Sequence, residues 1–363
     1  MTSNQNTPLL LIPGPTPVPD QVLKAINTQP LPHRSAEFSA ILNDAIDNLK
    51  WLAETQNDCF IFTGSGTLAM EASIVNFINP GDSVLALNIG VFSERLAQIA
   101  QGITDNVITL KAESGCAIEL DQVELALSQN KNIKAVLITH NETSTAVMQN
   151  LPALAKICQK HNALTIVDAI TSFAASPVLI TEWGLDVVIT GSQKALMLPP
   201  GLSIIFVSET AWEYVGKNKN PKFYLDLNKY KKSMLNKTTP FTPNVSLIAG
   251  LNVALKLIAE NGKEATYDRH LKLRKLVRSL SQKYDFELLV EDESIASPSV
   301  TAFKAADRIT VSDLRSNLKN NHNIIIADGQ NDLKGKIFRV GHMGYMFEAD
   351  ILRLDKALGQ ILA

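Results

Sequence analysis

Cysteine is scarce in this chain. Cys59, Cys116 and Cys158 are its only thiols, widely spaced and without a C-x-x-C pair, which excludes a disulfide framework and a zinc or dithiol motif. Each lies in or beside apolar sequence and reads as a reduced interior thiol of a cytoplasmic protein. An excess of one charge is also lacking. The chain has 34 basic and 36 acidic residues, a formal net charge of −2, and so no field suited to nucleic acid or an anionic membrane. The Lys-rich stretch from Lys217 to Lys237 is broken by Tyr224, Leu225 and Asp226 and reads as a solvated surface loop. No apolar run approaches a membrane span. Residues Met1 to Thr7 are polar and uncharged, with no basic-plus-apolar signal after them, so the chain is expected to stay in the cytoplasm. No metal site, internal repeat or low-complexity segment is expected.

What is present fits an enzyme. The 363 residues, 45% apolar and 19% charged, are too many for one simple core and suggest two domains. Leu9 to Ile12 followed by Pro13-Gly14-Pro15-Thr16-Pro17 cannot be helical and reads as an extended arm over residues 1–19. Asp20 is placed to cap a helix reaching about Asn27, and a second helix is expected from Ser35 to Glu54. Short β-rich runs then alternate with amphipathic stretches: Cys59–Phe62, Ser83–Leu87, Val107–Leu110, Ala135–Thr139, Leu164–Val167, Val187–Ile189 and Leu202–Val207. That alternation predicts an α/β unit over 20–261, its sheet mostly parallel, seven-stranded and covered by helices on both faces. A long helix is expected from Ser246 to Asn261. The texture changes near Gly262, and 262–363 reads as a small C-terminal α/β domain. Its expected elements are a helix at Tyr267–Tyr284, strands at Phe286–Val290 and Ser299–Phe303, a helix at Val311–Asn320, strands at Asn323–Ala327 and Ile337–Val340, and a last helix from Ala349.

The segment Ile189-Thr190-Gly191-Ser192-Gln193-Lys194-Ala195-Leu196 delivers one lysine from the end of an apolar strand into a turn closed by Pro199-Pro200-Gly201. Burial disfavours charged lysine, so such a residue is either paired or used as an amine. The strand before it ends in Asp168. Lys194 and Asp168 could form a structural ion pair. They are also the two groups an aldehyde cofactor such as pyridoxal phosphate requires, a lysine for the Schiff base and an acid to keep the pyridine nitrogen protonated.

Upstream, Phe60-Ile61-Phe62-Thr63-Gly64-Ser65-Gly66-Thr67-Leu68-Ala69 runs from a strand through a glycine turn into a helix. Backbone N–H groups at a helix start, with the hydroxyls of Ser65 and Thr67, make an anion cradle. The same letters satisfy the dinucleotide pattern G-x-G-x-x-A, and a nicotinamide dehydrogenase is the rival reading. That reading wants an acid at the end of the next strand for the ribose. Asn88-Ile89-Gly90 stands there instead, which favours a monophosphate.

With these residues the chain resembles a class V aminotransferase of fold type I, in the branch of alanine–glyoxylate, serine–glyoxylate and serine–pyruvate aminotransferases. The resemblance runs from Pro13-Gly14-Pro15-Thr16-Pro17 and His33-Arg34-Ser35 to Phe338-Arg339-Val340-Gly341-His342-Met343-Gly344. It implies that Lys194 carries pyridoxal phosphate and later moves the proton at Cα, and that Asp168 pairs with the ring nitrogen. Ser65, Gly66, Thr67 and Gln193 would hold the phosphate. Thr143, in Thr139-His140-Asn141-Glu142-Thr143-Ser144-Thr145, would bond the ring's phenolic oxygen, unless it is a turn threonine. Phe92 would stack on the ring where relatives commonly have tryptophan. Thr242, in Pro240-Phe241-Thr242-Pro243, would reach the neighbouring subunit's phosphate in a homodimer with its active site at the subunit interface, unless it is merely a turn. Arg339 would grip the substrate carboxylate with its fork, unless it is a surface ion-pair residue.

The resemblance therefore implies ping-pong transfer of an amino group from a small amino acid, serine or alanine, to glyoxylate or pyruvate. A cysteine desulfurase needs a C-terminal cysteine, and none follows Cys158. A pyridoxal-phosphate lyase stays open. A non-catalytic relative kept as a subunit is opposed by the intact Lys194, Asp168 and Arg339.

Overall fold

The protein was analysed as a computed structural model that describes residues 7–306 and 308–363; residues 1–6, most of the polar leader, lie outside these. Its strands in chain order are β1 (Leu9–Leu11), β2 (Asp58–Thr63), β3 (Ser83–Asn88), β4 (Val107–Lys111), β5 (Ile133–Thr139), β6 (Asn141–Glu142) and β7 (Val147–Met148). They continue with β8 (Leu164–Asp168), β9 (Val187–Gly191), β10 (Leu202–Val207), β11 (Val300–Lys304), β12 (Ile324–Asp328) and β13 (Ile337–Gly341). The seven runs read as strands form one sheet in the order β2-β10-β9-β8-β5-β3-β4. Only β10 runs against its neighbours, pairing antiparallel with both β2 and β9.

Both faces of this sheet are buried, which is why its strands read as nearly unbroken apolar runs. The twofold strand period divides them between two clusters. Along β10, Leu202, Ile204 and Phe206 join one cluster while Ile205 and Val207 join the other. In β9, Val188 faces the first, and Val187 and Ile189 the second. Helices Ala36–Leu52 and Val245–Asn261 cover the first face, and helix Gly66–Phe77 lies on the second.

The parallel strands all end at one edge, where open α/β sheets bind ligands. Thr63, Asn88, Thr139, Asp168 and Gly191 are the last residues of β2, β3, β5, β8 and β9. Because β10 runs the other way it begins at the same edge. Gly64 N–H therefore donates to the Gly201 carbonyl at 2.9 Å, joining the glycine turn to the loop after the lysine.

The N-terminal arm differs from a segment that merely crosses a surface. Strand β1 pairs in parallel with β12, Leu9 opposite Ile324, and forms the edge of a second sheet ordered β1-β12-β13-β11. Leu11 is fully buried there with Phe286, Phe303 and Phe338, whose rings pack at centroid separations of 5.0 and 6.0 Å. Helices Val245–Asn261 and Lys263–Tyr284 meet at 87° across Gly262, whose φ of +83° suits glycine. Among the described residues, no single helix is long and apolar enough to cross a membrane.

Several local expectations are corrected. Phe286–Val290 is not a strand; an isolated bridge joins Leu288 to Phe303, and beyond it the Val290 and Glu291 carbonyls accept from the Arg278 guanidinium rather than from a neighbouring strand. Asp20 opens its helix from the first turn while Pro19 holds the cap position. The Lys-rich stretch contains a helix, Leu227–Met234, capped by Asp226, which accepts from Asn228 N–H. Cys116 is exposed, whereas Cys59 and Cys158 are buried; all three are free.

If β1 belongs to the second sheet's core, Leu11→Ala should cost about 2–5 kcal/mol of folding stability. Leu9→Ala, at a half-buried position of the same strand, should cost clearly less. Denaturant unfolding of both variants checks this, and equal small losses would contradict the placement.

Candidate active site

The turn after β9 is built to present a lysine. Ser192 Oγ donates to the Pro199 carbonyl at 2.8 Å and accepts from Leu202 N–H at 3.1 Å, so the loop is pinned at both ends. Met197 N–H donates to the Lys194 carbonyl at 3.0 Å, with Met197 at φ +61°, an uncommon region for a side chain of its size. Thr16 of the arm adds a third tie, its Oγ1 donating to the same carbonyl at 2.9 Å. Lys194 Nζ donates to the Pro13 carbonyl. Gly14 packs against the lysine so closely, at φ +115°, that a Cβ there would stand 2.6 Å from Nζ.

Lys194 and Asp168 both line a cavity of about 230 Å3 at the sheet edge, together with Ser65, Gly66, Thr67, Phe92 and Gln193. The structure thus brings seven of the sequence-predicted site residues together. Asp168 is 4% exposed, and burial raises its pKa to about 7, opposed by the Ile170 N–H that donates to Oδ1 and by the positive charges of Lys194 and Arg95. Oδ2 makes no hydrogen bond among the described residues. Burial lowers Lys194 to about 8, opposed first by Asp168. These are the shifts expected when an acid and an amine are both desolvated.

The three remaining predicted residues do not line this cavity. Arg339, on β13, is 6% exposed. Its Nε and Nη2 donate to the Asp328 carbonyl at 2.8 and 2.6 Å, and Nη1 donates to the Thr143 carbonyl at 2.9 Å and to Gln330 Oε1 at 3.0 Å. It is therefore no surface ion-pair residue, and burial lowers its pKa to about 10. Thr143 is buried beside it with Oγ1 unpartnered. Thr242 is exposed in its proline turn, next to Asn244, whose N–H donates to Thr63 Oγ1 at 2.8 Å.

The residues fit a phosphorylated aldehyde cofactor. Ser65 occupies the cap position of helix Gly66–Phe77, yet its hydroxyl makes no capping bond and is free for an anion. Gln193 Oε1 is buried without a partner; the amide can be turned over to present N–H groups instead. The orphaned Thr143 Oγ1 likewise awaits a polar atom. Among the described residues, no group of three or more His, Cys, Asp or Glu side chains is placed to hold a metal ion.

The sequence reading passed over Glu142, which is fully buried. Its Oε2 accepts from Phe92 N–H at 2.9 Å and Ser93 N–H at 3.0 Å, and its Oε1 from Ser144 N–H at 3.0 Å and Ser144 Oγ at 2.7 Å. A carboxylate thus caps helix Val91–Gln101 from another segment and fixes Phe92. Asn141 was also passed over; it lines the cavity and donates to Thr171 Oγ1 and Ser299 Oγ, both at 2.8 Å. A lone acid amid small polar residues, on a strand end, was the available signal for Glu142.

The raised pKa of Asp168 sets a pH dependence. The folded protein binds this proton up to about pH 7, the unfolded chain only to about 4. Stability from Asp168 is therefore present below the lower value and lost as pH rises through the upper one. In the cofactor-free protein, Asp168→Asn should gain in melting temperature over wild type between about pH 4 and 7 and hold that gain above. A constant difference across this range would contradict the assignment.

Comparison with known proteins agrees with this geometry. The family profile described as aminotransferase class-V matches residues 9–354. A serine–glyoxylate aminotransferase of Arabidopsis thaliana is 34% identical over 94% of this chain and 87% of its own length. A soluble hydrogenase 42 kDa subunit of Anabaena cylindrica is 42% identical over 98% of this chain and 93% of its own. The crystal structure of an alanine–glyoxylate aminotransferase from Nostoc sp. superimposes with a TM-score of 0.94 at 30% identity, covering the whole of both chains. The aminotransferases it resembles depend on pyridoxal phosphate, the Lys194 cavity holds a buried amine, a buried acid and a glycine turn at a helix start, and this chain belongs to the class V aminotransferase family.

Proposed function

We propose that this transaminase moves an amino group from serine or alanine to glyoxylate or pyruvate by a ping-pong mechanism. The donor leaves as its keto acid before the acceptor enters. The observation that carries the reading is the pairing of a desolvated lysine and aspartate in one cavity with a buried arginine nearby that, among the described residues, pairs with no carboxylate. Every amino and keto acid presents a carboxylate, and a guanidinium held by carbonyls alone remains attractive to one.

When bound, pyridoxal phosphate supplies an aldehyde for the amine and a ring that accepts electrons as the Cα–H bond breaks. Lys194 Nζ, with its affinity for protons lowered by burial, would in its neutral form take up the Cα proton and hold it for return. Asp168 would hold a protonated ring nitrogen, whose positive charge would bring the raised pKa of the acid back down and keep it ionised. Thr143 Oγ1, unpartnered here, would be the donor for the cofactor's phenolic oxygen, and Phe92 would hold the ring with less area than an indole would give. Arg339 orients the substrate carboxylate.

The reading takes 20–261 as the cofactor-binding domain and 262–363 as the small domain bringing Arg339. The protein acts as a homodimer, exposed Thr242 serving the partner's phosphate, and works in the cytoplasm. A β-eliminating lyase on the same site is distinguished by ammonia release without a keto acid. The identities of donor and acceptor rest on the glyoxylate aminotransferases among its relatives and on the small cavity.

The test is the absorption spectrum of the purified protein. A visible band from lysine-bound cofactor should bleach with L-serine or L-alanine and return with glyoxylate. Lys194→Ala should abolish turnover while the folded protein still retains cofactor, and Arg339→Ala should weaken carboxylate binding by about 2–5 kcal/mol. Wild-type turnover by Lys194→Ala would contradict the mechanism, and release of ammonia without acceptor would favour the lyase.

A further inference from the structure

Arg95 is used by none of the roles assigned so far. It lies three residues after Phe92 on helix Val91–Gln101, hence on the same helix face, and it lines the cavity. Its guanidinium carbon stands 4.9 Å from the centre of the Phe92 ring. Its one hydrogen bond runs from Nη1 to Thr67 Oγ1 at 3.4 Å, long and weak, and among the described residues it pairs with no carboxylate. Most of its donors are therefore unspent beside the glycine turn.

The charge inventory of the cavity gives this arginine a task. A phosphate monoester carries a charge of about −1.5 to −2 at neutral pH. The groups assigned to hold it, Ser65, Gly66, Thr67 and Gln193, are neutral, and a helix N-terminus supplies roughly half a positive charge. Asp168 adds negative charge on the cavity wall, and Glu142 lies buried behind Phe92. Lys194 and Arg95 are the cations among the lining residues, and Lys194 is committed to the aldehyde. A dianion in this enclosed place requires a full positive charge within reach, and Arg95 is already bonded to one side of its cradle.

We propose that Arg95 is the counter-ion of the cofactor's phosphate, its fork closing on the phosphate oxygens from the Thr67 side while its plane backs the Phe92 ring. One residue then couples phosphate binding to the placement of the stacking ring, which suits a site whose stacking residue is the smaller phenyl. The proposal rests on the transaminase reading.

The experiment titrates cofactor-free protein with pyridoxal phosphate and, separately, with pyridoxal, which lacks the phosphate, following the visible band. Wild type, Arg95→Gln and Arg95→Lys are compared, with circular dichroism confirming that each is folded. Arg95→Gln should weaken pyridoxal phosphate roughly ten- to a hundredfold, as expected for a lost charge-assisted bond, and leave pyridoxal within about threefold. Arg95→Lys should recover only part of the loss, because the charge remains while the fork and its planar contact with Phe92 are gone. Unchanged affinity for pyridoxal phosphate in Arg95→Gln would overturn the proposal, as would equal weakening of both compounds, which would mean that Arg95 acts only through the ring. Failure of the underlying reading looks different: the wild-type protein itself would give no band with pyridoxal phosphate.

Discussion

A carboxylate and an amine taken out of water at the end of one parallel sheet dominate the design of this molecule. Asp168 ends β8 and Lys194 follows β9, its immediate neighbour, with Asp168 in register with Ile189. Each is costly to bury in its charged form, and the two costs draw their proton affinities together, upward for the acid and downward for the amine. Much of the surrounding structure keeps that pair in place. Ser192 pins the lysine turn, Gly64 and Gly201 join its two walls, and the N-terminal arm bears directly on the lysine.

A second buried carboxylate ties the rest of the site together. Glu142 takes backbone donors from Phe92 and Ser93, while the next residue, Thr143, offers its carbonyl to Arg339. The residue that would lie on the cofactor ring and the one that would hold the substrate are thus both anchored to the short segment after β5. The small sheet contributes from two directions, through Arg339 on β13 and through β1, whose chain continues over Lys194. A shift of that sheet would move Arg339 and the lysine's covering segment together.

Much of this was legible in the sequence, and the reasons are physical. Strands buried on both faces must be apolar throughout, so the seven runs from Cys59 to Val207 stood out. A lysine, an aspartate and a glycine turn at strand ends announce chemistry because each is costly or strained unless used. The same logic failed where the meaning of a residue depends on distant partners. Leu9–Leu11 is too short to show which sheet it joins, since β12 lies near the other end of the chain. Glu142 satisfies donors about fifty residues away, and its spacing carries no trace of them. Nothing in the sequence around Arg95 marks it out, because its partner Thr67 lies 28 residues away and only the fold brings the two together. Phe286–Val290 had a strand's composition but only one ladder position to fill.

The central claim is that burial, against the opposing charge of Asp168, turns Lys194 into a usable amine near neutral pH. The most direct measurement is the pH dependence of Lys194 modification by a small acylating reagent in cofactor-free protein, read by peptide mass spectrometry. The account predicts a midpoint near 8, well below that of the exposed lysines on the same molecule. A midpoint near the ordinary lysine value of about 10.4, shared with those surface residues, would contradict it.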